Sequence, residues 1–315
     1  MLITGAAGAV GSHAAERFQA LGHQVWGLDS FTDYYDISLK ELNARDISAA
    51  GVSFIRADLA TADLARVLPA ETEFIVHFAA QPGISSAVPF ETYERNNLIA
   101  THRLLEAARS LKHLHGFVFI STSSVYGAHA NGSEEVPPTP NSWYGATKLA
   151  AEQLALSYTR SGQLPVTALR LFSVYGERER PEKLYRKLIQ ALYEDKEFTL
   201  HEGSEAHVRT FTYVGDAVEG CIRAIDRFDR CRGEIFNVGS NQTATTGEGI
   251  ALVEELMGAR VRFAMVPPRP GDQLETSADI RKAREVFGYD PQTSLRDGLK
   301  REVTWFKRVA PELIL

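Results

Sequence analysis

Short apolar runs alternate with stretches of helical periodicity along the first half of the chain. Residues 2–4, 24–28, 52–56, 73–78, 117–120 and 166–172 are rich in β-branched, aromatic and leucine side chains and are bounded by turn residues, which predicts six strands. Between them, residues 12–21, 38–49, 96 to about 110 and 144 to about 160 predict helices. In the third of these, Leu98, Thr101, Leu104, Leu105 and Ala108 fall on one side. Strands that alternate with helices predict an α/β fold, a Rossmann-type doubly wound parallel sheet. After Ser173 the alternation loosens. Helical patterns run to about Tyr193 and then cover 215–225, 280–287 and 294–308, while residues 234–238 return to strand character. A smaller mixed α/β carboxyl-terminal part is therefore expected, and no internal repeat or low-complexity segment interrupts the chain.

The turns between these elements carry the first chemical signal. Strand 2–4 runs directly into Gly5-Ala6-Ala7-Gly8-Ala9-Val10-Gly11 and then a helix. In that setting Gly5 permits a tight turn, Gly8 lets backbone approach a pyrophosphate at the helix N-terminus, and Gly11 lets helix and strand pack closely. The second strand ends in Asp29, about 20 residues further on, where an acid holds the hydroxyls of an adenosine ribose. The combination predicts NAD rather than NADP. Asp58-Leu59, after the third strand, reads either as an acid meeting an adenine amine or as a plain turn acid or helix cap, and the fourth strand, which closes on Phe78, runs into Ala79-Ala80-Gln81-Pro82-Gly83, small residues that a cofactor can cross. Residues 1–173, with later returns near 210–240, are accordingly expected to form a dinucleotide-binding domain, and residues 174–315 mainly a substrate domain.

A run of hydroxyls, Ser121-Thr122-Ser123-Ser124, follows the fifth strand at the edge where an open sheet presents its crevice. Tyr144 and Lys148 come next, four residues apart and so on one face of a helix that Ser142 is placed to cap. A free tyrosine has a pKa near ~10, so service as a base at neutral pH needs a shift of about 3 units, or roughly 4 kcal/mol. A neighbouring ammonium and a cationic cofactor ring are the sources of such a shift. Arg178, Arg180, Lys183, Arg186 and Lys187 form the richest cationic segment of an acidic chain, for which an anionic ligand is the counterpart. Arg209 precedes another β-rich stretch, and Arg269 and Asp272 sit in the stiff turn 267–272.

Composition narrows the class. A chain of 315 residues, 44% hydrophobic, buries a large core, and a net charge of -6 without a basic block offers no footprint for nucleic acid. No apolar run reaches the ~18 residues of a membrane span. Cys221 and Cys231 form no framework, and the nine histidines lack ligand spacing, so no metal site is expected. With no basic leader before the first strand, the expected compartment is the cytoplasm.

Taken together, these motifs resemble the extended short-chain dehydrogenase/reductase family over essentially the whole chain. The resemblance rests on the glycine turn at 4–11, Asp29, Asp58-Leu59, His77-Phe78-Ala79-Ala80, Asn97, the stretch 121–127, Tyr144 with Lys148, and the stretches 170–176, 209–214 and 269–272. It implies that Tyr144 is the general base and that Lys148 holds the nicotinamide ribose and lowers the tyrosine's pKa. It further implies that Thr122, with Ser123 beside it, bonds the reacting hydroxyl, that Asn97 belongs to the cofactor site, and that Arg209, Arg269 and Asp272 belong to the nucleotide-sugar site. Relatives that dehydrate or decarboxylate their keto-sugar carry an acid just before ValTyrGly, where this chain has Ser123 and Ser124. Residues 30–40 and 178–183 are similar to stretches of UDP-glucuronate 4-epimerases. The implied reaction is NAD-dependent C4 epimerisation of a UDP-sugar, above all UDP-glucuronate to UDP-galacturonate, through a 4-keto intermediate. Thr122, Ser173 and Arg180 are the residues expected to restrain the sugar carboxylate. A neutral UDP-glucose or UDP-N-acetylglucosamine is the alternative substrate, and a non-catalytic dinucleotide sensor the alternative of another class. The family also implies a homodimer built on the helices that start at Asn97 and follow Tyr144. Thr210 and Gly215 depart from the family pattern, which often has Asp at both places.

Overall fold

A computed structural model of the chain describes residues 1–83, 88–268 and 273–313. Seven strands, β1 (Leu2–Thr4), β2 (Trp26–Asp29), β3 (Ser53–Arg56), β4 (Phe74–His77), β5 (Gly116–Thr122), β6 (Val166–Leu171) and β7 (Ile235–Val238), make one sheet in the order β7-β6-β5-β4-β1-β2-β3. Every neighbouring pair in it is parallel. Parallel strands are covered on both faces and so read as continuous apolar runs. β5 and β6 are buried along their whole length, which is why the sequence marks them so clearly. The seventh strand is the stretch near 234–238, which pairs beside β6 with Ile235 opposite Ala168.

Alternate side chains of each strand feed opposite layers. Ile3, Val76 and Val118 pack with Phe18, Val218 and Cys221 on one face, while Leu2, Ile75 and Phe117 pack with Leu104, Leu105 and Ala155 on the other. The helices concerned include α1 (Ala9–Ala20), α2 (Ile37–Ala49), α3 (Ala100–Ala108) and α4 (Trp143–Arg160). Chain order runs outward from β1 to β3 and then crosses to β4, so strand order reverses between β1 and β4. A crevice at the carboxyl ends of the strands follows from that reversal.

A third core, with Tyr185, Leu188, Phe198, Val253, Leu299 and Phe306, holds the carboxyl-terminal part together. It joins α5 (Leu184–Tyr193), α6 (Val214–Asp226), α7 (Thr246–Met257) and α8 (Leu295–Leu313) to a pair of short parallel strands, Glu197–His201 and Arg262–Val266. The pattern of apolar positions does not announce α7, yet its capping box does: Thr245 accepts from the Glu248 amide at 3.0 Å and Glu248 returns the bond to the Thr245 amide at 2.6 Å. The helix expected from residue 96 begins earlier, at Phe90, and passes through a π turn, Glu94–Ile99, before α3. No helix among the described residues is long and apolar enough to cross a membrane.

Candidate active site

The glycine turn is shaped by contact rather than by flexibility. Gly5 has a φ of +70°, and a Cβ added to Gly11 would lie 2.2 Å from the Gly5 carbonyl oxygen. A Cβ on Gly5 would lie 2.7 Å from the Ala79 amide nitrogen, so α1, β1 and the exit of β4 meet in van der Waals contact with no room for side chains. Gly8 caps α1 without a side chain, leaving the amides of its first turn directed at the crevice. Asp29 is locked at the end of β2, accepting from the amides of Ala7 at 3.0 Å and Phe31 at 2.9 Å. The second bond draws Phe31 to a φ of +54°, a region non-glycine residues seldom enter. Asp58 pairs with Arg95 and accepts from the Ala60 amide at 2.9 Å.

These residues open into one cavity of about 830 Å³. Gly5, Gly8, Ala9, Val10, Gly11, Asp29, Asp58, Leu59, Phe78, Ala79 and Ala80 line one end, and Thr122, Ser123, Tyr144, Lys148, Ser173, Arg180 and Arg209 continue it. Asn97 lies behind the wall. Its side chain accepts from the Gln81 amide at 2.6 Å and donates to the Gln81 carbonyl at 3.2 Å and the Thr147 hydroxyl at 3.0 Å, so it ties the loop after β4 to α4. Asn96, next to it in the π turn, is the residue that lines the cavity. Arg269 and Asp272 lie outside the described residues.

Local structure explains how Tyr144 and Lys148 are aimed. Ser142 caps α4 by accepting from the Gly145 amide at 3.1 Å. Gly145 is itself required, because a Cβ there would sit 2.5 Å from the Ser124 carbonyl oxygen; the glycine lets α4 lie against the 3₁₀ turn Ser123–Tyr126. Thr122 ends β5, accepts from the Ser124 amide at 3.2 Å, and shares a hydrogen bond with the Tyr144 phenol. Burial raises the phenol's pKa, and the Thr122 bond and the Arg180 charge oppose it. The Arg180 charge thus opposes burial at Tyr144. Lys148 donates to the Ile120 carbonyl at 2.6 Å and stands 4.3 Å from the Phe119 ring centre. Burial pulls its amine down to about 7, with Glu152 one turn along pulling the other way.

A buried network backs this face of the sheet. Glu152 accepts from Arg170 through both oxygens, at 2.9 and 2.6 Å, and Arg170 donates to the Tyr126 hydroxyl at 2.7 Å. On the other side of Lys148, His77 is enclosed between the hydroxyls of Thr4 at 2.7 Å and Thr101 at 2.9 Å. Burial, aided by the Lys148 charge, holds the imidazole down at about 3, so it is neutral.

The cationic segment divides by task. Arg178, at a φ of +62°, turns from the cavity and grips Glu16 of α1 with bonds of 3.0 and 2.7 Å. Arg186 is buried over Phe306 at 4.2 Å and donates to Gln190 at 3.0 Å. Arg180, Lys183 and Lys187 face the cavity. Residues that the sequence pattern did not single out as site residues complete the wall: Tyr34, Tyr35 and Lys40 from the stretch 30–40, Glu182 beside Arg180, and Phe198 to His201. Phe198 and Leu200 alternate with Glu197, Thr199 and His201 in a five-residue strand whose apolar side chains are buried, so its signal was a short period-two alternation.

Comparison with known proteins agrees with this geometry. Residues 1–239 match the NAD dependent epimerase/dehydratase family. The chain is 38% identical over 310 residues to the uncharacterized UDP-glucose epimerase YtcB of Bacillus subtilis (strain 168), covering 97% of each chain. It is 33% identical to UDP-glucuronate 4-epimerase 2 of Arabidopsis thaliana, covering 97% of this chain and 75% of the plant protein. Its fold superposes with a TM-score of 0.92 on the crystal structure of UDP-glucuronic acid 4-epimerase from Bacillus cereus in complex with UDP-glucuronic acid and NAD, at 35% identity and covering 98% and 99% of the two chains.

Proposed function

The chain belongs to the NAD dependent epimerase/dehydratase family, and from that premise we propose that it is an NAD-dependent UDP-sugar 4-epimerase that interconverts UDP-glucuronate and UDP-galacturonate. The observation that carries the reading is the presence, in one cavity, of the Thr122–Tyr144 pair and the Arg180 guanidinium. NAD fits the residues present: Gly5, Gly8 and Gly11 make a cradle that a single Cβ would fill, and Asp29 stands where a 2′-phosphate would be repelled. Residues 1–173 with the return at 210–240 would hold it, Lys148 would hold its nicotinamide ribose, and residues 174–315 would hold the sugar nucleotide.

When bound, the dinucleotide supplies a hydride acceptor at carbon 4 that also gives the hydride back. The protein's part is to move one proton and to hold the sugar. Thr122 orients the 4-hydroxyl, and Tyr144 takes its proton as the 4-keto sugar forms. Arg180 favours the phenolate through its charge. Turned to its other face, the keto-sugar receives the proton back from Tyr144 and leaves as the epimer. A 4-keto uronate is a β-keto acid prone to lose carbon dioxide, so its carboxylate has to be held, a task we assign to Arg180, Ser173 and Thr122. Ser123 and Ser124 offer no acid for elimination. A neutral UDP-glucose is the second reading, supported by the similarity to YtcB and by Glu182, which already accompanies Arg180.

We further infer a homodimer, supported by Phe90, Ile99 and Trp143, which are 41%, 44% and 51% exposed on the adjoining helices. A cytoplasmic setting suits Cys221 and Cys231, both free and buried. The test of the activity is to incubate the purified protein with UDP-glucuronate, UDP-glucose and UDP-N-acetylglucosamine and to resolve the products by chromatography. UDP-galacturonate is the expected product; conversion of the neutral sugars alone would overturn the uronate assignment.

A further inference from the structure

Arg180 and Glu182 form a contact that is close but poorly made. The Nη1 nitrogen of Arg180 lies 2.7 Å from a Glu182 oxygen, yet that nitrogen is buried and, among the described residues, has no aligned hydrogen-bond acceptor. A guanidinium offers donors in a fixed fork suited to a carboxylate approaching in its plane, and Glu182, two residues along and held by Pro181 between them, does not reach that position. The two side chains also differ in solvation: that of Arg180 is 18% exposed and that of Glu182 is 39% exposed. Glu182 has a second attachment, the hydroxyl of Tyr34 from the strap between β2 and α2.

From this we propose that Glu182 is the resident counter-ion of Arg180, displaced when the carboxylate of a uronate enters, and that it sets how strongly the cavity prefers an anionic over a neutral sugar. The inference rests on the reading above in which Arg180 meets the sugar carboxylate. The exchange follows from the asymmetry of the pair. A mostly buried guanidinium cannot be left without an anion, because the uncompensated charge is costly. A half-exposed glutamate can be released, because water takes up its charge. With a neutral sugar in place Arg180 keeps Glu182, and the cavity stays electrically balanced. With a uronate, two carboxylates compete for one guanidinium; the incoming one gains the aligned donor that Glu182 leaves unused, and Glu182 turns to solvent. Part of the attraction between Arg180 and the uronate is therefore offset by the loss of the resident pair, which tempers the preference rather than creating it.

The test measures binding without turnover, in NAD-loaded protein carrying Tyr144→Phe. Calorimetry would give Kd for UDP-glucuronate, UDP-glucose and UDP with Glu182 intact, in Glu182→Gln and in Glu182→Ala. Removing the competitor should tighten UDP-glucuronate about two- to fivefold in both variants and leave UDP-glucose and UDP unchanged. Weaker binding of UDP-glucuronate, an equal change for all three ligands, or no change for any would each overturn the proposal. Arg180→Ala, measured alongside, separates the two levels of inference. If it weakens UDP-glucuronate and UDP-glucose equally, the uronate role of Arg180 itself fails. If it is selective for UDP-glucuronate while the Glu182 variants do nothing, only the counter-ion role fails.

Discussion

As the proposed base, Tyr144 has to be an acid weak enough to hold its proton at rest and strong enough to lose it on demand. Burial pushes it one way, and the Thr122 hydroxyl and Arg180 push it the other. Removing the hydroxyl alone, in Tyr144→Phe, should keep the fold and NAD binding and cost about two to four orders of magnitude in kcat. Near-normal turnover measured in that variant would take Tyr144 out of the mechanism. His77 gives a different residue-scale expectation. Its ordinary value is 6.5 and the folded value about 3, so between those limits the unfolded chain binds a proton that the folded chain refuses. Stability from this group is therefore present above pH 6.5 and lost as pH falls, with a limiting slope of about 1.4 kcal/mol per pH unit. Urea unfolding from pH 7 down to pH 5 should show a steeper loss for the parent than for His77→Asn, which cannot protonate; parallel slopes would remove His77 from the acid sensitivity. Individual residues were legible in the sequence where spacing carried them, as with Tyr144 and Lys148. Partners were not, because Arg178 meets Glu16 across 162 positions of chain and no local pattern encodes that.

At the scale of elements, the strands were legible because a parallel sheet buried on both faces writes unbroken apolar runs, whereas boundaries followed tertiary contacts. The helix bearing Asn97 starts early and opens into a π turn, and the side chain spends its hydrogen bonds on Gln81 and Thr147 instead of facing the cavity. The capping box of α7 was present in the sequence, and its signal lay in the polar residues rather than in the apolar spacing. The β1–turn–α1 unit is the element whose form most directly limits the proposed cofactor site. In Gly11→Ala the new methyl would stand 2.2 Å from a backbone carbonyl that has no freedom to withdraw, so α1 must shift away from β1. A destabilisation of about 1 to 3 kcal/mol is expected, together with loss of NAD binding. Thermal melting and NAD titration check the two effects separately, and a variant that melts normally and binds NAD normally would contradict the close-packing argument.

At the scale of the molecule, the cavity spans the sheet's crevice and the carboxyl-terminal core, so its two ends come from parts of the chain that only the fold brings together. One wall of that arrangement also faces outward. α4 carries Tyr144 and Lys148 inward, while Trp143, immediately before them, is 51% exposed and meets Phe90 edge-on at 6.1 Å between ring centres. Ile99 adds a further exposed apolar side chain on the neighbouring helical segment. Large aromatic residues grouped at the surface mark a surface that another molecule covers, and a twofold pairing of like with like is the commonest way to cover one. The protein should therefore migrate with twice the 34.8 kDa mass of the chain in size-exclusion chromatography with light scattering at micromolar concentration. Trp143→Arg places a charge in the middle of that patch and should yield the single-chain mass. Because the same turn of α4 aims Tyr144, the monomer should also lose turnover while still binding NAD. A parent protein that elutes with the mass of one chain would remove the dimer, and an unaltered mass for Trp143→Arg would move the interface to another face.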